Sequence, residues 1–237
     1  MKFLYKSEAV DYDYIYNSHK QTILFLHGWG GNKFSFSSTI NLLKNSYNIL
    51  SITLPTICPT KEVWNMQNYC DLVLNILTLH NVKIPILICH SFGFRIAMLL
   101  NQKIHIKKLV ITAGAGIKKD NTFLRVKQRQ NLLQLQQNKN FFYSIASKDY
   151  LELSHTNRQS FKNIVNLNLK NFIYFNCPIL LFWGKFDLDT KLLTAKKMKR
   201  KNMAKLIITN SDHFAYLKLS AHFNNEVIKF LKQWSHI

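Results

Sequence analysis

Short apolar runs that end in small or polar residues alternate along this chain with longer stretches whose apolar positions recur every three to four residues. A run apolar at every position but too short for a helix suits a strand covered on both faces, and an amphipathic stretch suits the helix that covers it. The runs are 22–26, 48–54, 85–89, 108–112, 178–183 and 205–209, and the helical stretches are 66–80, 92–102, 190–201 and 221–234. In the last of these, Phe223, Val227, Phe230, Leu231 and Trp234 share one stripe, which predicts packing against the sheet. Residues 3–16 read as an exposed antiparallel hairpin. The alternation predicts an α/β chain with a mostly parallel central sheet and flanking helices.

One segment breaks the alternation. Residues 118–170 are polar, rich in Gln and Asn, helical in pattern and without a buried strand. They read as a helical insertion over the strand ends, dividing the chain into a first core part (1–117), the insertion (118–170) and a second core part (171–237). A length of 237 residues suits one sizeable core with this insertion.

Charge adds a partner question. The 32 Lys and Arg against 12 Asp and Glu give a net charge of +20, a field that attracts nucleic acid, anionic lipid and acidic substrates. The basic residues are scattered and no motif interleaves them with aromatics, so specific nucleic-acid binding is not expected. The densest run, 196–201, reads as the exposed end of a helix, where weak electrostatic contact with an anionic membrane surface is the contact this charge allows. Cys58, Cys70, Cys89 and Cys177 show neither paired spacing nor scaffold density, which fits a reducing compartment. Early charge at Lys2 and Lys6 interrupts any apolar leader and no later run is long enough to span a bilayer, so a soluble cytoplasmic protein is expected.

The chemistry sits at the ends of the predicted strands. Ile86-Leu87-Ile88-Cys89-His90-Ser91-Phe92-Gly93 places a serine on a sharp turn between strand and helix, where close approach demands small residues two before and two after it. Alone, such a run is equally an ordinary strand-to-helix turn. A serine hydroxyl becomes nucleophilic only when a base takes its proton, and an imidazole base needs a carboxylate to fix its tautomer. Both appear downstream: Asp187 closes Trp183-Gly184-Lys185-Phe186-Asp187, and His213 lies in Ser211-Asp212-His213-Phe214. Asp189 and Asp212 compete for the acid role. Asp212 adjoins the histidine, and loop neighbours point apart; Asp189 lies beyond the turn motif and reads as a cap of the helix that follows. Asp187 is preferred.

A developing oxyanion needs fixed backbone donors. His27-Gly28-Trp29-Gly30-Gly31-Asn32 follows the first central strand, and its glycines allow the Trp29 N–H to converge with that of Phe92. No phosphate-binding loop pattern is completed there. His90 is read as structural, turned away from the reacting face by the elbow, and His27 as a brace of its own loop. The other histidines, among them His80, His105, His155 and His236, lack metal-ligand spacing, so neither metal nor cofactor is expected.

With these motifs in order, H-G-W-G at 27–30, H-S-F-G at 90–93, W-G-x-x-D at 183–187 and D-H-F at 212–214, the chain resembles the α/β-hydrolase superfamily over nearly its whole length. Serine, then acid, then histidine is that family's chain order. Within it, the chain is similar to small bacterial esterase and lipase-like hydrolases with a short helical lid, through Ser147-Lys148-Asp149-Tyr150 and Asn157-Arg158-Gln159. The resemblance implies a triad of Ser91, Asp187 and His213 that cleaves carboxylic esters of small or medium acyl chain. Trp29, Phe141, Phe142, Tyr143 and Arg158 are then expected around the substrate. Proline-type aminopeptidases and carbon–carbon bond hydrolases use the same triad, and a catalytically silent binding relative is a further alternative. The chain departs from the family at Cys89 and Phe94, where glycine is usual, and across 53–60, where the usual D-x-P-G-x-G-x-S reads Thr-Leu-Pro-Thr-Ile-Cys-Pro-Thr.

Overall fold

The computed structural model describes residues 1–18, 20–117 and 153–233. The strands are β1 (Lys2–Tyr5), β2 (Glu8–Ile15), β3 (Thr22–Leu26), β4 (Asn48–Ile52), β5 (Ile86–His90), β6 (Lys108–Thr112), β7 (Ile179–Gly184) and β8 (Ala204–Thr209). They form one eight-stranded sheet in the order β1-β2-β4-β3-β5-β6-β7-β8. β1 and β2 pair antiparallel, β2 is antiparallel to β4, and every later pairing is parallel. The N-terminal hairpin is therefore the edge of the main sheet. It is less exposed than its sequence suggested, because Val10 and Tyr12 are buried against the second helix.

β3, β4, β5 and β6 are buried at every residue, as expected of parallel strands covered on both sides. Successive side chains divide between two cores: Leu24, Leu26, Leu87 and Cys89 face one, and Ile23, Phe25, Ile86 and Ile88 the other. α2 (Met66–Leu79), α3 (Phe92–Leu100) and α5 (Leu192–Lys201) cover the first core. α1 (Ser37–Leu43), α6 (Ala215–Lys218) and α7 (Ser220–Gln233) cover the second, where Phe223, Val227, Phe230 and Leu231 form the expected stripe. Trp234 lies outside the described residues. No helix among the described residues is long and apolar enough to cross a membrane.

Of the expected insertion, 118–152 lies outside the described residues, and with it Phe141, Phe142 and Tyr143. The remainder carries α4 (His155–Asn166), which lies over the loops that follow β3 and β4. Asn157 fastens it there. Its amide donates to the carbonyls of Thr56 and Cys58 at 3.0 and 2.8 Å, while its oxygen accepts from the Thr60 amide and hydroxyl at 3.1 and 2.9 Å. Ser160 accepts from the Trp64 amide at 2.8 Å. The Phe161 ring stands 5.0 Å from that of Trp29, so the helix reaches the glycine-rich loop after β3.

Candidate active site

The carboxyl ends of β3, β5, β7 and β8 carry the candidate residues, and each is held by something specific to its strand end. Ser91 caps α3 with φ 45° and ψ −107°, a strained conformation for a residue with a side chain. Two backbone bonds pin the turn: the Ser91 amide donates to Thr112 at 3.1 Å, and the Ala115 amide donates to the Ser91 carbonyl at 3.0 Å. α3 can start so close to β3 because residue 93 is glycine; a Cβ there would overlap the carbonyl oxygen and side chain of Leu26. The departures from the family pattern are absorbed locally. Cys89 is small and fully buried, and the Phe94 ring fills the space that a Cβ on Gly114 would need.

β7 and β8 bring the candidate acid and base together. The loop after β8 passes against Gly184, where a Cβ would overlap the carbonyl oxygens of Ser211 and Asp212, and the Phe186 amide donates to Ser211 at 2.9 Å. His213 Nδ1 then lies 3.0 Å from Asp187 Oδ2. Asp187 is buried and receives three further bonds: the amides of Asp189 and Thr190 donate to Oδ1 at 2.9 and 2.8 Å, and the Thr190 hydroxyl donates to Oδ2 at 2.7 Å. Burial on its own would raise the Asp187 pKa, but the bonds from His213 and Thr190 outweigh it and hold the carboxyl below its ordinary range. Trp183 Nε1 donates to the Thr190 carbonyl at 2.6 Å, which ties this turn back to β7.

The competing carboxylates are placed elsewhere. Asp189 Oδ2 is 4.0 Å from His213 Nδ1 with its side chain 74% exposed. It is not a helix cap either: α5 starts later than expected, at Leu192, and its cap position, Lys191, makes no side-chain bond. Asp212 turns outward, pairing with Lys218 and accepting from the Phe214 amide.

Two buried histidines brace the site from below. His27 accepts from the Leu54 amide at Nε2 (2.8 Å), so Nδ1 carries the proton and donates to the Gly28 carbonyl at 2.6 Å. Burial lowers its pKa to about 4, so it stays neutral. The His90 ring packs against the Gly28 backbone and against the candidate base: Nε2 lies 3.2 Å from the His213 carbonyl and the two rings are 4.8 Å apart. Burial, reinforced by nearby His213, lowers its pKa to about 3. A neutral His90 therefore donates from Nε2 to the His213 carbonyl.

The glycine-rich loop closes the arrangement. A Cβ on Gly28 would lie 3.4 Å from the Ser91 Cβ, which places this backbone beside the serine, and the Trp29 ring meets Phe92 edge-on at 5.3 Å. Among the described residues, the Ser91 hydroxyl and the amides of Trp29 and Phe92 make no hydrogen bond. A cavity of about 380 Å³ opens between residues 28–31 and Phe214, Tyr216 and Leu217, with His90 in its wall. Arg158 holds the start of α4, its Nε donating to the Leu153 carbonyl at 2.9 Å.

Sequence reasoning missed Thr190, the contact from His90 to the base, and the Asn157 anchor. The spacing Asp187-x-x-Thr190, in which a carboxylate accepts from amides two and three residues on, is a local turn signal that points to Thr190.

No protein-family model matches the chain. A structure described as an α/β-hydrolase enzyme from a Medee basin deep-sea metagenome library superposes with a TM-score of 0.74 at 15% identity, covering 100% of this chain and 99% of that one. The chain has the α/β-hydrolase fold. Two curated proteins are similar to this chain in sequence. The uncharacterized hydrolase YugF of Bacillus subtilis is 29% identical over 121 residues, 48% of this chain but only 44% of that protein. The pimeloyl-[acyl-carrier protein] methyl ester esterase of Wigglesworthia glossinidia brevipalpis is 24% identical over 93% of this chain and 97% of its own length.

Proposed function

We propose that the chain is a serine hydrolase that cleaves carboxylic esters of small or medium acyl chain through an acyl-enzyme on Ser91. The observation that carries this reading is the His213–Asp187 pair at 3.0 Å, at the carboxyl end of the same sheet as a serine on a strained turn; among the described residues the amides of Trp29 and Phe92 make no hydrogen bond. The similarity to a methyl ester esterase along nearly the whole chain supports the ester as substrate class.

In this mechanism His213 Nε2 takes the Ser91 proton as Oγ attacks the ester carbonyl, and Asp187 stabilises the imidazolium through Nδ1. The Trp29 and Phe92 amides receive the oxyanion, a contribution of about 3 kcal/mol per donor in comparable sites. Collapse of the intermediate expels the alcohol, which takes the proton from His213 and leaves the acyl group on Ser91. Water, deprotonated by the same histidine, attacks the acyl carbonyl and releases the acid.

The test is pre-steady-state hydrolysis of p-nitrophenyl acetate and butyrate. The expected result is a burst of nitrophenol stoichiometric with protein, absent in Ser91→Ala. Folded wild-type protein that cleaves neither ester, or a Ser91→Ala variant that cleaves both at the wild-type rate, overturns the reading.

A further inference from the structure

Arg95 has no part in this chemistry, yet it is a charged side chain only 7% exposed, on the helix that Ser91 starts. Its Nη1 donates to the carbonyls of Ile164 and Leu167 at 2.9 and 3.0 Å, fastening the carboxyl end of α4. Among the described residues, Nε and Nη2 make no hydrogen bond and no carboxylate lies within ion-pair distance. Burial lowers the pKa to about 10, so the group remains cationic at neutral pH. A buried cation without a counter-charge is costly, and that cost falls when an anion is bound.

Arg95 also lines a cavity of about 390 Å³. Lys191 at the cap of α5, Thr194 and Lys197 within it, and residues 114–117 are among its other walls. Asp189 is the acidic residue in the lining, mostly exposed, so three cations face one anion. The cavity borders the candidate site: Thr190 in its wall holds Asp187, and Ala115 in its wall bonds to the Ser91 carbonyl. With Nη1 engaged, the free edge of Arg95 is the Nε–Nη2 fork, whose parallel donors match both oxygens of one carboxylate.

We propose that this cavity is a subsite for a carboxylate that the substrate carries apart from the ester being cleaved, with the Nε–Nη2 edge of Arg95 as its ligand. The subsite's role in substrate selection rests on the hydrolase reading above; its anion binding does not. Phosphate shares the oxyanion chemistry but not the planar shape.

Two arms on the full chain test this. In the first, Ser91→Ala protein is titrated calorimetrically with glutarate, glutaramide and inorganic phosphate at constant ionic strength. Saturable glutarate binding at one site is expected, with glutaramide and phosphate weaker, and Arg95→Lys weakening glutarate by about tenfold or more through loss of the fork. Because Arg95 also holds α4, a Lys191→Gln/Lys197→Gln variant provides a second readout on surface positions, expected to weaken glutarate about threefold. Absence of saturable glutarate binding, glutaramide or phosphate binding as tightly, or affinity unchanged in both variants overturns the proposal.

In the second arm, kcat/KM for p-nitrophenyl hemiglutarate is compared with that for p-nitrophenyl valerate, an uncharged ester of the same chain length. The half-ester is expected to be favoured about tenfold, through KM, with the preference lost in Arg95→Lys. Equal cleavage of both esters without glutarate binding overturns the subsite and leaves the hydrolase reading standing. Glutarate binding with neither ester cleaved overturns the hydrolase reading and leaves the subsite standing.

Discussion

Around Asp187 both carboxylate oxygens are engaged: Oδ1 accepts two backbone amides, and Oδ2 accepts the Thr190 hydroxyl and His213. Around Ser91, at the end of β5, the hydroxyl and the amides of Trp29 and Phe92 make no bond among the described residues. The first region is complete without a substrate, and under the proposed mechanism its fixed dipoles need no reorganisation when charge develops on the imidazole. The second leaves donors unpaired where a reacting oxygen would need them, and an unpaired donor contributes most when it is first satisfied in the transition state.

Substitution of the proposed base or of its acid has the largest expected effect. His213→Ala lowers kcat about 10⁶-fold on an ester substrate, and Asp187→Asn, which leaves the packing but favours the wrong imidazole tautomer, lowers it about 10⁴-fold. Steady-state kinetics read both, with thermal unfolding midpoints near wild type showing that the loss is chemical.

Next comes the acid sensitivity of the braces beneath the site. His27 and His90 are neutral in the folded chain with pKa values near about 4 and about 3, against 6.5 when unfolded. As pH falls below 6.5 the unfolded state takes up protons that the folded state refuses, so stability drops by about 1.4 kcal/mol per pH unit for each histidine, down to their folded values. Asp187 acts in a lower window. Its depressed pKa contributes stability that is complete above the ordinary carboxylate range and is lost as pH falls through the folded value. Denaturant unfolding at pH 7, 6 and 5 checks the slope, and His90→Gln is expected to remove one proton from it.

The smallest effect sharpens the contrast within the completed region. Thr190→Val deletes one of the two bonds to Oδ2 while the Thr190 amide stays, and a hydrogen bond of about 1 to 1.5 kcal/mol predicts roughly a tenfold loss of kcat with KM unchanged. A drop as deep as that of Asp187→Asn would show that Thr190 orients the acid alone rather than together with the backbone.

The two regions also differ in how far they can be read from the chain. Short, largely apolar runs are local patterns, and the strands of the sheet bear them out to within a residue or two at most ends, as the turn at Ser91 is borne out by its positive φ. α1 escaped notice because only Thr39 and Leu43 in it are buried and no side chain caps it, which leaves too sparse a period to detect. The seat of α4 depends on Asn157 meeting Thr60, 97 residues away, and the His90 contact to the His213 carbonyl spans 123 residues. Such pairs have no local period. Arg95 is similar: its burial and its free edge exist only once α3, α4 and α5 are assembled.

The central claim is that the completed region activates the open one. Treating the folded protein with a fluorophosphonate and following the adduct by intact mass and peptide mapping tests it most directly. The account predicts one adduct, on Ser91, absent in Ser91→Ala and formed orders of magnitude more slowly in His213→Ala. Failure of folded wild-type protein to label, or labelling of Ser91 at the same rate without His213, would contradict it.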